Sequence, residues 1–134
     1  MSHHKLFSFA GLLGMTGVLL GAFGAHALRA SLLARQTTDV WHTAVSYQLI
    51  HSVALLVLAV RMGGADGQAP PGVAAAAWCW IGGVILFSGS LYALALGAPP
   101  ALGPVTPLGG LLFVAGWALV ITMGWRRPPG PPPA

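Results

Sequence analysis

Residues 47–60, YQLIHSVALLVLAV, place a tyrosine, a glutamine and a histidine within five positions and then run without interruption through eight apolar residues, Val53 to Val60. A helix apolar on every side belongs in a large core or in lipid, not at a water interface. The rest of the chain decides between those two. It has 134 residues, of which 56% are hydrophobic and 6% charged, against roughly a quarter charged in soluble domains. Two acidic and six basic side chains cannot clothe the surface of a soluble globule of this length. The chain therefore reads as all-α and integral to a membrane. The formal net charge of +4 does not point to nucleic acid, because Lys5, Arg29, Arg35, Arg61, Arg126 and Arg127 are scattered at the ends of apolar runs and form no basic stripe. Cys79 stands alone, so no intrachain disulfide can form, and it reads as a small buried hydrophobe.

Apolar runs near 6–28, 43–60, 73–98 and 105–125 each approach the ~20 residues needed to cross a bilayer core. They predict a single four-span domain over residues 1–127, followed by a proline-rich tail at 128–134. The separating stretches, RASLLARQTTD (29–39), GGADGQAPPG (63–72) and APPALGP (98–104), carry the polar residues, glycines and prolines that interrupt helices. ASLLARQ is expected to form a short surface helix, and Thr38 or Asp39 to cap the second span. The first span is read as retained. Its apolar run, Leu6 to Ala25, is longer than the core of a secretory signal, although Ala25-His26-Ala27 imitates a cleavage site. Lys5, Arg61, Arg126 and Arg127 would share one side and Arg29 and Arg35 the other, which predicts both termini in the cytoplasm. Trp41, Trp78, Trp80 and Trp125 fall near the predicted membrane interfaces.

Membrane helices associate through close packing of small residues and interhelical hydrogen bonds. Gly14, Gly17, Gly21 and Gly24 form one smooth ridge on the first span; Gly82 and Gly89 on the third, and Gly109 and Gly116 on the fourth, offer matching faces. The expected architecture is a four-helix bundle with glycine-rich packing faces. Its expected partners are membrane lipid, a second copy or another membrane protein, and not nucleic acid.

Counting helical rise sets His26, Tyr47, Gln48, His51, Ser88, Ser90, Tyr92 and Thr106 at one level toward the outer side, with contributions from all four spans. Lipid satisfies none of these groups, so they are expected to turn inward and bond one another. The favoured reading is a hydrogen-bonded layer that sets helix register. A second is a shallow cavity, open to the outer side, that binds a small molecule or lipid headgroup or relays a proton on histidine. A third, a metal or haem site on His26, His51 and His42, is disfavoured by unequal depths and too few ligands. His3 and His4, at the start of the chain, read as solvated. There is no acid within the spans and no nucleophile–base–orienter set. The residues thus describe a non-enzymatic membrane protein without cofactor, metal or catalytic groups.

GAFGAHAL (21–28), YQLIHSVA (47–54), LFSGSLYALAL (86–96) and VTPLGGLLFVAGWAL (105–119) together resemble the YgdD-like family, small inner-membrane proteins of bacteria with a distant transmembrane relative in animals. The resemblance covers all four spans in order. It implies a four-helix membrane protein of uncharacterised function, located in the cell inner membrane, and carries no activity onto any residue. Members commonly place a charged residue, often glutamate, before the tyrosine of the second motif. Ser46 stands there in this chain, which removes an obvious partner for a nearby histidine and weakens the proton-relay reading.

Overall fold

The computed structural model describes residues 2–63 and 71–125. Met1, residues 64–70 within the expected inner loop, Arg126, Arg127 and the expected proline-rich tail at 128–134 lie outside the described residues. Helix α1 (His3–Ala25) opens on Ser2, whose hydroxyl accepts from the Lys5 amide at 3.4 Å. After α1 comes the short surface helix, α2 (Arg29–Ala34), and then α3 (Thr38–Met62). The third span begins as α4 (Val73–Gly83), widens into a π-helical turn over Val84–Ser88 and finishes as α5 (Gly89–Ala95). A single 3-10 turn, Pro100–Leu102, leads into α6 (Val105–Trp125). Among the described residues four helical segments, His3–Ala25, Thr38–Met62, Val73–Ala95 and Pro100–Trp125, are long and apolar enough to cross a membrane. The molecule is an all-α, four-span bundle.

The second and third spans form its centre. In their most apolar stretches 44% and 50% of residues are buried, against 17% for the first and fourth spans, which flank them. The flanking helices turn Phe7, Met15, Val18, Leu111 and Val114 outward, where lipid is the solvent. One apolar cluster, including Leu6, Leu55, Ala76, Trp80 and Phe113, fills one end of the bundle; a second, built on Leu32, Trp41, Val45 and Ala95, fills the other.

Glycine sets the approach of the helices. A Cβ at Gly14, Gly17, Gly21 or Gly24 would meet Ser52, Leu49, Val45 or Trp41 respectively, so the whole ridge of α1 lies against α3. Between the third and fourth spans, Gly82 and Gly83 face Leu112 and Phe113, while Gly109 and Gly116 receive Phe87 and Trp80. Gly89, expected on this face, meets nothing within 4 Å. The extra residue in the π turn rotates α5 about its axis and carries Gly89 off the face that Gly82 presents to the fourth span.

Two tryptophans lie across glycines in the same way. The Trp41 indole covers Gly24 and donates to Leu20 O at 3.0 Å; the Trp80 indole covers Gly116 and donates to Phe113 O at 3.4 Å. Only a residue without a side chain lets the ring reach the backbone carbonyl of the facing helix. Both rings are 2% exposed, so each packs between helices. Trp78 and Trp125 remain exposed.

The expected cap of the second span also differs. The capping position is Thr37, whose hydroxyl is turned away to donate to Ala95 O at 2.9 Å, fastening the start of α3 to the end of α5. Thr38 Oγ1 is buried with no hydrogen-bond partner among the described residues. Beside this joint α5 ends on Gly97 in the left-handed region, φ +98°, with Ala98 N–H donating to Ala93 O at 2.9 Å. The Arg35 guanidinium occupies the space a side chain at Gly97 would need.

Candidate functional site

The polar residues of the spans lie between the two apolar clusters, and Gln48 is their hub. Its side chain is 3% exposed and meets two other spans. Nε2 donates to Leu13 O and to Thr16 Oγ1 of α1, both at 2.9 Å, and Oε1 accepts from the Tyr92 hydroxyl of α5 at 3.0 Å. Because Leu13 O can only accept, the amide nitrogen must face α1 and its oxygen Tyr92. Thr16 completes the chain by donating to Leu12 O at 2.8 Å. The Tyr92 ring rests against Trp41 with centroids 4.7 Å apart.

His51, one turn further along α3, belongs to a separate group. Its Nδ1 lies 2.8 Å from Tyr47 O, and its Nε2 accepts from Trp117 Nε1 at 3.2 Å. A carbonyl accepts and an indole N–H donates, so the two partners together fix the neutral tautomer with hydrogen on Nδ1. The ring stacks on Phe113, centroids 3.7 Å apart and planes 11° from parallel, and meets the edges of Trp80 and Trp117. Both nitrogens are engaged, so metal ligation by His51 would break one of these bonds. Among the described residues no three His, Cys, Asp or Glu side chains come close enough to hold a metal ion.

Ser90 and Thr106 form a third, smaller link, their hydroxyls 2.7 Å apart between the third and fourth spans. The predicted single layer is thus divided into three local groups. Ser88 Oγ is fully buried in the π turn with no partner among the described residues. Tyr47 is 41% exposed and packs against Phe87, ring centroids 4.5 Å apart and planes tilted by 37°, at a membrane-facing groove. His26 does not join at all: α1 ends at Ala25, three residues before the expected limit, so His26 stands exposed beyond the helix.

Sequence reasoning missed Thr16 and Trp117. Thr16 was legible as the only hydroxyl near the middle of the first span. Trp117 lies far from either end of the fourth, where an indole N–H has no water and must find an acceptor. His51→Leu, which removes that acceptor and the stacked ring, is expected to lower stability by about 1 kcal/mol. A melt in detergent that matches the unaltered protein would contradict this account of His51.

The fold and its internal polar groups define a small multi-pass membrane protein of the inner (plasma) membrane, in contact with lipid around its outer faces. The chain belongs to the family described as "Protein of unknown function (DUF423)", which matches residues 20–110. It is 44% identical over 118 residues to a UPF0382 membrane protein of Staphylococcus haemolyticus, covering 87% of this chain and 93% of that protein. It is 37% identical, also over 118 residues, to the UPF0382 membrane protein YwdK of Bacillus subtilis, covering 87% and 94%. No solved structure matches. These findings make it an uncharacterised integral membrane protein of an established family.

Proposed function

We propose that the protein is a non-enzymatic structural or accessory component of the membrane, its polar residues committed to holding the spans in register. The observation that carries this reading is Gln48, which uses both amide hydrogens and its oxygen to bind two neighbouring spans. A group so engaged is positioned for assembly and not for turnover. The motifs GAFGAHAL, YQLIHSVA, LFSGSLYALAL and VTPLGGLLFVAGWAL support placing the chain with the YgdD-like proteins and their distant animal relative. Outward-facing apolar side chains on the first span, with Gly11 open among them, support assembly with a second copy or with another membrane protein.

Both termini are assigned to the cytoplasm, on the strength of the sequence order of the basic residues, with Lys5, Arg61, Arg126 and Arg127 falling to one side of the four spans and only Arg29 and Arg35 to the other. In a Cys79→Ala background, Ser31→Cys is expected to react with an impermeant maleimide added to intact cells. Ser2→Cys should react only after permeabilisation, and the reverse pattern overturns the assignment.

The second reading, binding of a small molecule, lipid or proton near the outer side, is favoured by the groove of about 510 Å³ where Tyr47, Phe87 and Trp117 face the membrane. Native mass spectrometry of the protein released gently from its own membrane separates the two. The structural reading expects one copy or a defined oligomer with no mass other than protein and lipid. A reproducible added mass of haem, metal or one small molecule overturns it.

A further inference from the structure

At the end of the bundle that carries Arg61, helices α3, α4 and α6 leave a groove of about 320 Å³. Its walls are aliphatic: Val57 and Leu58 of α3, Val73 of α4, and Val120 and Met123 of α6. Gly124 also lines it, and no heavy atom lies within 4 Å of where its Cβ would stand, so the absence of a side chain keeps the groove open. Arg61 completes the lining from the last turn of α3. Being one residue from the end of a membrane-spanning helix, it sits at headgroup depth.

Among the described residues the only acidic side chain is Asp39, in the first turn of the same helix and so at the opposite end from Arg61. The groove therefore has two parts, an aliphatic trough that hydrocarbon fills and a guanidinium, with no carboxylate beside it among the described residues, whose planar fork matches phosphate oxygens. Free phosphate fits only the second part and a neutral chain only the first. We propose that the groove seats one anionic phospholipid, with an acyl chain between α3 and α6 and the phosphodiester on Arg61. A basic pocket between membrane helices is a recurrent solution for such headgroups.

The test is native mass spectrometry of the full chain in detergent, titrated in parallel with dioleoyl phosphatidylglycerol and dioleoyl phosphatidylcholine. The unaltered protein is expected to retain one phosphatidylglycerol at a concentration roughly tenfold lower than phosphatidylcholine. Arg61→Gln, at an exposed site, should equalise the two lipids. Gly124→Leu, which fills the trough, should weaken both. Lys5→Gln, a basic residue at the same end but outside the groove, should leave the preference intact. Equal retention by the unaltered protein overturns the proposal. So does a preference that survives Arg61→Gln, or one lost as fully in Lys5→Gln. Displacement of the lipid by millimolar inorganic phosphate would mark a simple anion site and overturn it as well.

Discussion

Gly109→Ala is expected to cost more than any other single methyl added to the bundle, and Gly109→Leu to prevent its assembly. A Cβ at position 109 would stand 2.8 Å from Phe87 Cα and closer still to Phe87 N. These are backbone atoms of the π turn, so no rotamer change relieves the contact and α6 must move away from the third span. Overpacking of a core typically costs roughly 1–3 kcal/mol, and the upper part of that range applies where only backbone can yield. Two other glycines calibrate the experiment. At Gly82 the new methyl would meet Leu112 Cδ1 at 3.1 Å, the far end of a flexible side chain, and at Gly11 it meets nothing within 4 Å. Gly82→Ala should therefore be mild, and Gly11→Ala neutral or stabilising, since alanine favours a helix by about 1 kcal/mol over glycine. Thermal melts of the three variants in one detergent give the order directly. If Gly109→Ala melts with Gly11→Ala, the close crossing of the third and fourth spans is wrong.

Gln48→Leu is the second large effect, with an expected loss of about 2 kcal/mol, three hydrogen bonds at somewhat under one each. The substitution keeps the approximate volume and leaves the Tyr92 hydroxyl, Leu13 O and Thr16 without their partner. Tyr92→Phe removes only one bond and preserves the ring against Trp41, so it should cost about 1 kcal/mol or less. The double variant should lose less than the sum, because with the hydroxyl gone there is no orphan at position 92 to penalise Gln48→Leu. Strict additivity would show that the two side chains do not meet. A Gln48→Leu protein as stable as the unaltered one would remove the main support for a structural role.

Four spans and the ridge Gly14-Gly17-Gly21-Gly24 were legible because both depend on one dimension, the length of an apolar run and the repeat of a helix. The short helix over Arg29–Ala34 was legible for the same reason. The grouping of the polar residues depends on rotation about each axis as well as depth, and there the one-dimensional count fails. It put Gln48 and His51 in one layer, although Gln48 turns toward α1 and α5 while His51 turns toward α6. The packing role of Trp41 and Trp80 was not legible, because an indole near the end of a span serves equally at a headgroup or over a glycine, and only the facing helix shows the second. The π turn at Val84–Ser88 leaves no mark in hydropathy, yet the extra residue turns Gly89 off the face that Gly82 presents to the fourth span.

The paired tryptophan-over-glycine contacts have a consequence for the order in which the chain takes shape. Trp41 closes on Gly24 within the first half of the sequence and Trp80 closes on Gly116 within the second. Each half thus carries its own clasp and emerges during synthesis as a helical hairpin whose most intimate contact is already encoded in it. The first hairpin can latch before the second has been made, as sequential folding of a growing chain favours. The bond from Gln48 to Tyr92 joins partners from opposite halves and so can form only when the hairpins dock. Assembly inside the bilayer then reduces to one encounter between two prefolded pieces, in place of a search among four separate helices.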